Sequence, residues 1–330
     1  MTALHLVWQS AAVLVGGGLL GLVYKGFDRK LAARMQSRIG PPLRQPFLDV
    51  GKLLVKESVV PKDAVGWLFR AMPFLAVIAS FTVLLYLPWG PFPAVLRSGG
   101  DAILVLYLLA VPAVAMALGG FASGSPLATV GAQREIVMLM SYEFPLAVAV
   151  VGVVWRLATL GGGPAFSLGA IAAAPLWTMV GPLGVIGLAI LAACLLIVTP
   201  AELSKIPFDI PEAETEIAGG LMVEYSGTYL ALFYLADAAK TIAMAALVVT
   251  LFAPYGIAGL LGLSGAGGQA VDLVFHLLKI FVVMFAAVTT VRVAMARFKI
   301  DQVARGFWLQ ITAVAVAGLV LLVLDRMVAG

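Results

Sequence analysis

Charge is scarce in this sequence. Only 12% of its 330 residues are Asp, Glu, Lys or Arg, where an ordinary soluble domain carries about 25%. Too few charges exist to cover a globular surface, so lipid must be the main solvent. Cysteine is scarcer still: Cys194 stands alone, which excludes an internal disulfide and a cluster-binding set of about four thiolates. The two histidines, His5 and His276, lie far apart and argue against a metal site, so any redox metal belongs to partners. Also missing are a phosphate-binding Gly-rich loop with a Lys, a Ser–His–Asp order and a zinc-type spacing. Nothing visible lets the chain do covalent chemistry by itself. The net charge of +4 comes from basic residues gathered in particular loops. They form no continuous stripe with interleaved aromatics, so nucleic-acid binding is not expected.

Apolar residues are abundant, at 62%, with a mean hydropathy of +1.07. A membrane-crossing helix needs about 20 mostly apolar residues. Runs of that kind fall at about 3–24, 66–89, 102–120, 132–155, 179–200, 226–253, 271–293 and 305–325. They predict an all-α, polytopic integral membrane protein of about eight transmembrane helices, one transmembrane domain over residues 1–330. The first run lacks a basic n-region, and Lys25, Arg29 and Lys30 follow it. It reads as a retained helix rather than a cleaved signal. Ten of the 21 lysines and arginines lie between residues 25 and 70, and Arg134, Lys205, Arg292, Arg297, Lys299 and Arg305 fall in other loops of the same side. Opposite loops and the C-terminus hold Arg97, Arg156 and Arg326. By the positive-inside rule the long polar loops face the cytoplasm and both termini lie outside.

Two of the polar segments stand out. Phe47–Glu57 puts Phe47, Val50 and Leu54 on one side of a helix and Asp49, Lys52 and Lys56 on another. Too short to span, it reads as an amphipathic helix in the membrane interface at about 47–57. The loop at about 201–224 carries Glu202, Asp209, Glu212, Glu214, Glu216 and Glu224. Crowded carboxylates raise one another's pKa values and titrate as a coupled set. Such a loop suits a proton entry funnel or an electrostatic trigger. The opposite loops at 90–101, 157–178 and 254–270 are rich in Gly, Pro, Ala and Ser and read as connectors. No tandem repeat of the secondary-transporter kind is apparent.

Ionisable groups inside hydrocarbon cost roughly 2.5–3.5 kcal/mol each on insertion scales, so each should have a partner or a task. Glu143 sits near the middle of the fourth run, with Pro145 two residues on. It has no opposite charge within one turn, which points to proton handling. Asp237 and Lys240 are three apart on the sixth run, share a face and can pair. Asp272, His276 and Lys279 share a face of the seventh. Neutralised structural pairs and a transport path both account for these last two groups. By physics alone, all of this also fits a transporter.

Four motifs narrow the choice. The first is Asp28-Arg29-Lys30, leading through Met35-Gln36-Ser37-Arg38-Ile39-Gly40-Pro41 to Lys52-Leu53-Leu54-Val55-Lys56-Glu57. The second is Gly131-Ala132-Gln133-Arg134-Glu135, continuing to Ser141-Tyr142-Glu143. The third runs from Ala201-Glu202-Leu203-Ser204-Lys205-Ile206 through Pro207-Phe208-Asp209-Ile210-Pro211-Glu212-Ala213-Glu214-Thr215-Glu216 to Glu224-Tyr225-Ser226-Gly227. The fourth is Arg297-Phe298-Lys299-Ile300-Asp301-Gln302. In order and position these resemble the signature loops of the complex I subunit 1 family, whose members include membrane anchors of energy-converting NiFe hydrogenases. Complex I members usually carry an Asn-Arg pair before Pro-Phe-Asp and a longer Asn- and Gly-rich stretch after the first Gly-Pro. Here Ser204-Lys205-Ile206 and the short Pro42–Pro46 stand in those places, which is similar to the hydrogenase members.

The resemblance implies a prokaryotic, cytoplasmic-membrane subunit that is not catalytic by itself but belongs to an oxidoreductase complex. It would anchor a hydrogenase arm and link electron transfer, from ferredoxin to protons, to proton or sodium translocation. The coupling groups it implies are Glu143, Asp209, Glu212, Glu214, Glu216, Glu224, Asp237 and Lys240. Those for docking the arm are Arg29, Lys30, Arg34, Arg38, Arg134, Glu135, Arg297 and Asp301, and positive-inside anchoring alone also accounts for the basic ones. This chain would bind no cofactor. The NiFe centre and iron–sulfur clusters would sit in hydrogenase large and small subunits and an iron–sulfur protein, beside antiporter-like membrane subunits and lipid. Alternatives are the quinone-chamber subunit of a complex I-like oxidoreductase and a stand-alone transporter or scaffold.

Overall fold

The computed structural model describes residues 3–161, 166–174 and 176–329. Backbone groups in lipid must be satisfied within the segment, which leaves the helix as the way for each apolar run to cross. Eight helical spans long and apolar enough to do so are present among the described residues. They are α1 (Ala3–Met35), α3 (Gly66–Tyr86), α4 (Asp101–Ala122), α5 (Pro126–Thr159), α7 (Pro182–Glu202) and α9 (Gly227–Phe252), followed by two compound spans. The seventh joins α10 (Gly265–Met284) to α11 (Thr290–Ala294) through a π-helical turn, Phe285–Thr289. The eighth joins α12 (Ile300–Arg305) to α13 (Thr312–Ala329) through a second, Gly306–Ile311.

Three short helices complete the set: α2 (Gln45–Val55), α6 (Leu168–Ala173) and α8 (Glu214–Ile217). The 157–178 connector therefore contains a helix; its residues 162–165 and 175 lie outside the described residues, as do Met1, Thr2 and Gly330 at the termini.

The first and fourth spans overrun their expected length the most, and both overruns build the site. α1 has 33 residues, about 50 Å at 1.5 Å per residue, against a hydrocarbon core of about 30 Å. Its last three turns carry Lys25, Asp28 and Arg29 out of the apolar region as a rigid post. α5, at 34 residues, likewise projects Gly131, Arg134 and Glu135. α2 starts two residues earlier than expected because Pro46 at its first turn is preset for helical φ. Val50 is buried against Leu22 of α1 and Ala238 of α9, with Phe47 packed beside them. Leu54, expected on the same side, is half exposed instead.

α9 is the central post: 89% of its apolar window is buried, against 22% for α1. It packs on α1, α2, α3 and α10, while α3 pairs with α4 and α7 with α13. Without a hydrophobic drive between helices in lipid, small residues let backbones approach closely. Gly21 on α1 is such a point, since a Cβ there would meet the Ala238 carbonyl oxygen at 2.5 Å.

Candidate functional site

α7 runs straight into the acidic loop, ending at Glu202. From there the chain makes a cis Ile206–Pro207 bond, a single turn at Ile210–Glu212, the short α8, another turn at Gly220–Met222, and enters α9. The loop lies against α5 at Gly131, where a Cβ would meet Leu221 N at 2.8 Å and Pro211 O at 2.9 Å. Phe208 anchors it against Phe298 and Phe307, and Tyr225 donates to the Phe69 carbonyl at 3.0 Å while stacked on that ring.

Two arginines hold the loop from neighbouring elements. Arg297 grips Asp209 with Nε at 2.8 Å and Nη2 at 2.5 Å, and its Nη1 donates to Thr215 at 3.1 Å. A bidentate fork of this kind is geometrically specific, and the bond to Asp209 keeps Arg297 above its already high pKa. Arg134 donates to Glu216 at 2.7 Å and to the Ile210 carbonyl at 3.3 Å.

Behind the loop lies a chain of charges. Asp237 accepts from Lys205 and from Lys25, both at 2.7 Å. Lys25 also donates to the Tyr234 carbonyl at 3.0 Å. Arg292 and Thr289 both donate to Asp28 at 2.7 Å, and Arg29 donates to Asp49 at 2.7 Å. Except for Thr289, these residues line a polar cavity of about 270 Å³ between α1, α2, α9 and α11, into which Glu212 also faces. Lys205, Glu212 and Asp237 also line a smaller cavity of about 50 Å³, whose deeper wall is Glu202 and Lys240. That space is large enough for water.

Burial pushes the Glu212 carboxyl up despite Lys205 beside it. Burial would lower Lys205, but Asp237 outweighs it and the ammonium sits above its ordinary value. Burial likewise works against the Asp49 carboxylate, and the bonds from Arg29 and Gln45 more than offset it, leaving Asp49 below its usual range.

Deeper in the bundle, Lys240 and Glu202 form an ion pair at 2.8 Å, both almost dry. The contact is charge against charge rather than a well-aligned hydrogen bond. Glu135 is 1% exposed, and neither carboxyl oxygen has a hydrogen-bond partner. It feels the charges of Lys240, Glu212 and Glu202. The buried Tyr142 hydroxyl is also unpartnered and stands in the fields of Glu202, Glu135 and Glu143. Glu143 in turn feels Glu202 and Lys240. Buried polar groups are nearly always satisfied, and here the open carboxyl oxygens of Glu135 lie within the field of the Lys240–Glu202 ion pair.

The expected site residues thus divide. Glu143, Glu212, Asp237 and Lys240 join one electrostatic group, while Asp209 and Glu216 are tied down by arginines. Glu214 is exposed and Glu224 half-buried. Asp237 and Lys240 do not pair with each other: helix spacing allowed it, but Asp237 turns to Lys25 and Lys205 and Lys240 to Glu202. Of the residues expected to dock a partner, Arg34, Arg38 and Asp301 are exposed and Lys30 is half-buried. Arg29, Arg134 and Arg297 are internal braces. Glu135 is interior rather than on the surface, because α5 carries it under the acidic loop.

Asp272 accepts from the Ile257 and Ala258 amides, and Lys279 donates to the Ala253 and Tyr255 carbonyls. These two close a turn. Sequence reasoning counted Glu202 among the acids of the loop but missed Lys25, Lys205, Asp28 and Asp49 as members of the site. The available signal for Lys205 was its place three residues beyond Glu202, where the apolar run ends. No group of three or more His, Cys, Asp or Glu side chains arranged for a metal occurs among the described residues.

The family model described as NADH dehydrogenase matches residues 9–323. The chain belongs to this family. Among its relatives in that family is the H subunit of an NADH-quinone oxidoreductase from Brevibacillus brevis, 34% identical and covering 94% of this chain and 90% of its own length. Hydrogenase-4 component C of Escherichia coli is also 34% identical, over 82% of this chain and 83% of its own. Among solved structures, the membrane-bound sulfane sulfur reductase, an archaeal respiratory membrane complex, contains a chain of similar fold. The TM-score is 0.83 at 28% identity, covering 96% of this chain and 99% of that one. This family member is accordingly a multi-pass membrane subunit of a complex I-like complex.

Proposed function

We propose that the chain is the membrane anchor and coupling subunit of an energy-converting NiFe hydrogenase. It holds the redox arm against the cytoplasmic face and passes the charge change of electron transfer into the membrane. The observation that carries this reading is the unbroken series of ionisable groups from the acidic loop to mid-span. Glu212, Lys205 and Asp237 line the outer cavity, Glu202 and Lys240 the inner one, and Glu135, Tyr142 and Glu143 lead onward. A change of charge at the arm alters the balance at Glu212 and Asp237. Lys240 then has competing carboxyls within reach of its field, and a proton can follow. The exposed Arg34, Arg38 and Asp301, with Lys30, are the surface offered to the arm. NiFe and iron–sulfur centres sit in the large, small and iron–sulfur subunits, ferredoxin is the donor, and antiporter-like subunits receive the proton or sodium ion. In this reading the loops are cytoplasmic and both termini outside.

The outer cavity favours this branch over quinone. Lys25, Asp28, Arg29, Asp49 and Arg292 on its walls are tied in ion pairs, a poor bed for an apolar tail. The quinone reading keeps one specific support, the likeness over nearly the whole chain to a component of an NADH-quinone oxidoreductase. Gentle purification from native membranes, with subunits identified and metals counted, decides between them. Nickel with iron and a hydrogenase-like large subunit establishes the hydrogenase branch. Iron without nickel, with bound quinone, moves the chain to the other branch. No redox partner overturns both.

A further inference from the structure

A third cavity, of about 720 Å³, is an open cleft between α7, α11 and α12. Leu196 and Ile197 of α7 form one wall. Both π-helical turns form the other, through Ala286 and Ala287 of the first and Phe307 and Ile311 of the second. Single π turns inside α-helices occur frequently at functional sites. At the rim stands Arg305, exposed and without an ion pair or hydrogen bond among the described residues. Its neighbours at the same end, Arg292 and Arg297, are both paired to acids. One turn beyond, Trp308 is 45% exposed, as aromatic residues are at a membrane–water boundary.

An unpaired cation above an apolar slot is complementary to an amphiphile with a negative head. We propose that the cleft binds an anionic phospholipid, an acyl chain between α7 and the two π turns and its phosphate on Arg305. Phe208 also lines the cleft, next in sequence to the Asp209 that Arg297 grips. The Phe298 amide donates to the Pro207 carbonyl at 3.1 Å. A chain in the cleft therefore braces the acidic loop from its membrane side, whichever redox arm the complex carries.

Native mass spectrometry of the intact complex, exchanged into phosphatidylglycerol or phosphatidylcholine, tests this. The wild-type chain should retain phosphatidylglycerol about fivefold better than phosphatidylcholine, the effect of one basic side chain near the surface. Arg305→Gln should lose that preference and Arg305→Lys keep it. Ala286→Trp, which fills the cleft, should lose both lipids. Equal retention by wild type, Arg305→Gln and Ala286→Trp would overturn the proposal. So would release of a quinone from the cleft, or protection of Arg305 by a partner subunit.

Discussion

At the end of the bundle away from the acidic loop, Arg156 and Asp325 are 4% and 3% exposed and bonded at 2.8 Å. The Gly181 amide adds a second contact to Asp325 at 3.1 Å. One acid meets one base, and α5, α7 and α13 are drawn together. At the loop end Asp237 is shared between two lysines, Lys240 answers several carboxyls, and both oxygens of Glu135 are open. The first arrangement has one good state. In the second, several charges compete for each partner, which is what a group must have if it is to respond to an arriving charge. Arg156 Nε is itself unpartnered, so on the proposed function what separates a structural charge from a working one is whether several charges compete for the same partner.

Asp325→Ala should produce the largest loss, because it strands Arg156 without an acid. Breaking a buried pair from one side costs about 3–5 kcal/mol. Thermal unfolding in detergent and the yield of assembled complex would register it. Replacing both residues by apolar ones of similar volume should recover most of that loss. An undisturbed single mutant would mean that the pair is not the closed clamp described.

At the open end the loss should be of function. Glu135→Gln leaves packing intact, as it removes no hydrogen bond, and should change stability by less than about 1 kcal/mol. Ion translocation coupled to turnover should nevertheless fall about tenfold, equivalent to roughly 1.4 kcal/mol on the transfer step. Dye-linked activity of the arm should be unchanged. If both activities fell together in an assembled complex, Glu135 would be a support rather than a relay.

Much of this contrast was legible in the sequence, but not its pairing. Spans are written in long apolar runs because lipid permits little else, and all eight lie close to where those runs fall. The overruns of α1 and α5 were hidden because a helix that leaves the hydrocarbon keeps its geometry but loses its apolar signature. Helix spacing can nominate only partners on the same helix, which is why Asp237 and Lys240 looked like a pair. Their partners come from α1, α7 and the loop. Arg156 and Asp325 are 169 residues apart, a distance at which nothing local links them. Neither π turn leaves a composition signal, so the cleft between them was invisible.

A smaller effect concerns pH. Burial raises the Glu212 carboxyl, so the folded chain holds that proton more tightly than the unfolded one. The stability this lends is fully present below the unfolded value, about 4.3, and is lost as pH rises through the folded value. Glu212→Gln removes that loss. Its melting temperature should therefore gain on wild type as pH is raised from acid to neutral. A constant difference would mean that water in the cavity solvates the carboxylate as well as bulk water does.

The smallest effect should come from Glu214→Gln. This acid belongs to the same crowded run as Glu212, yet its side chain is exposed and water competes with every neighbour for it. Neutralising it should cost less than about 0.5 kcal/mol, as for most surface substitutions, and leave dye-linked activity alone. Any fall in coupled activity should be smaller than that of Glu135→Gln and should shrink with added salt, since exposed charges act across a screened medium. A loss equal to that of Glu135→Gln, insensitive to salt, would break the comparison. It would mean that a partner buries Glu214 on assembly, and that the working series of charges begins outside this chain.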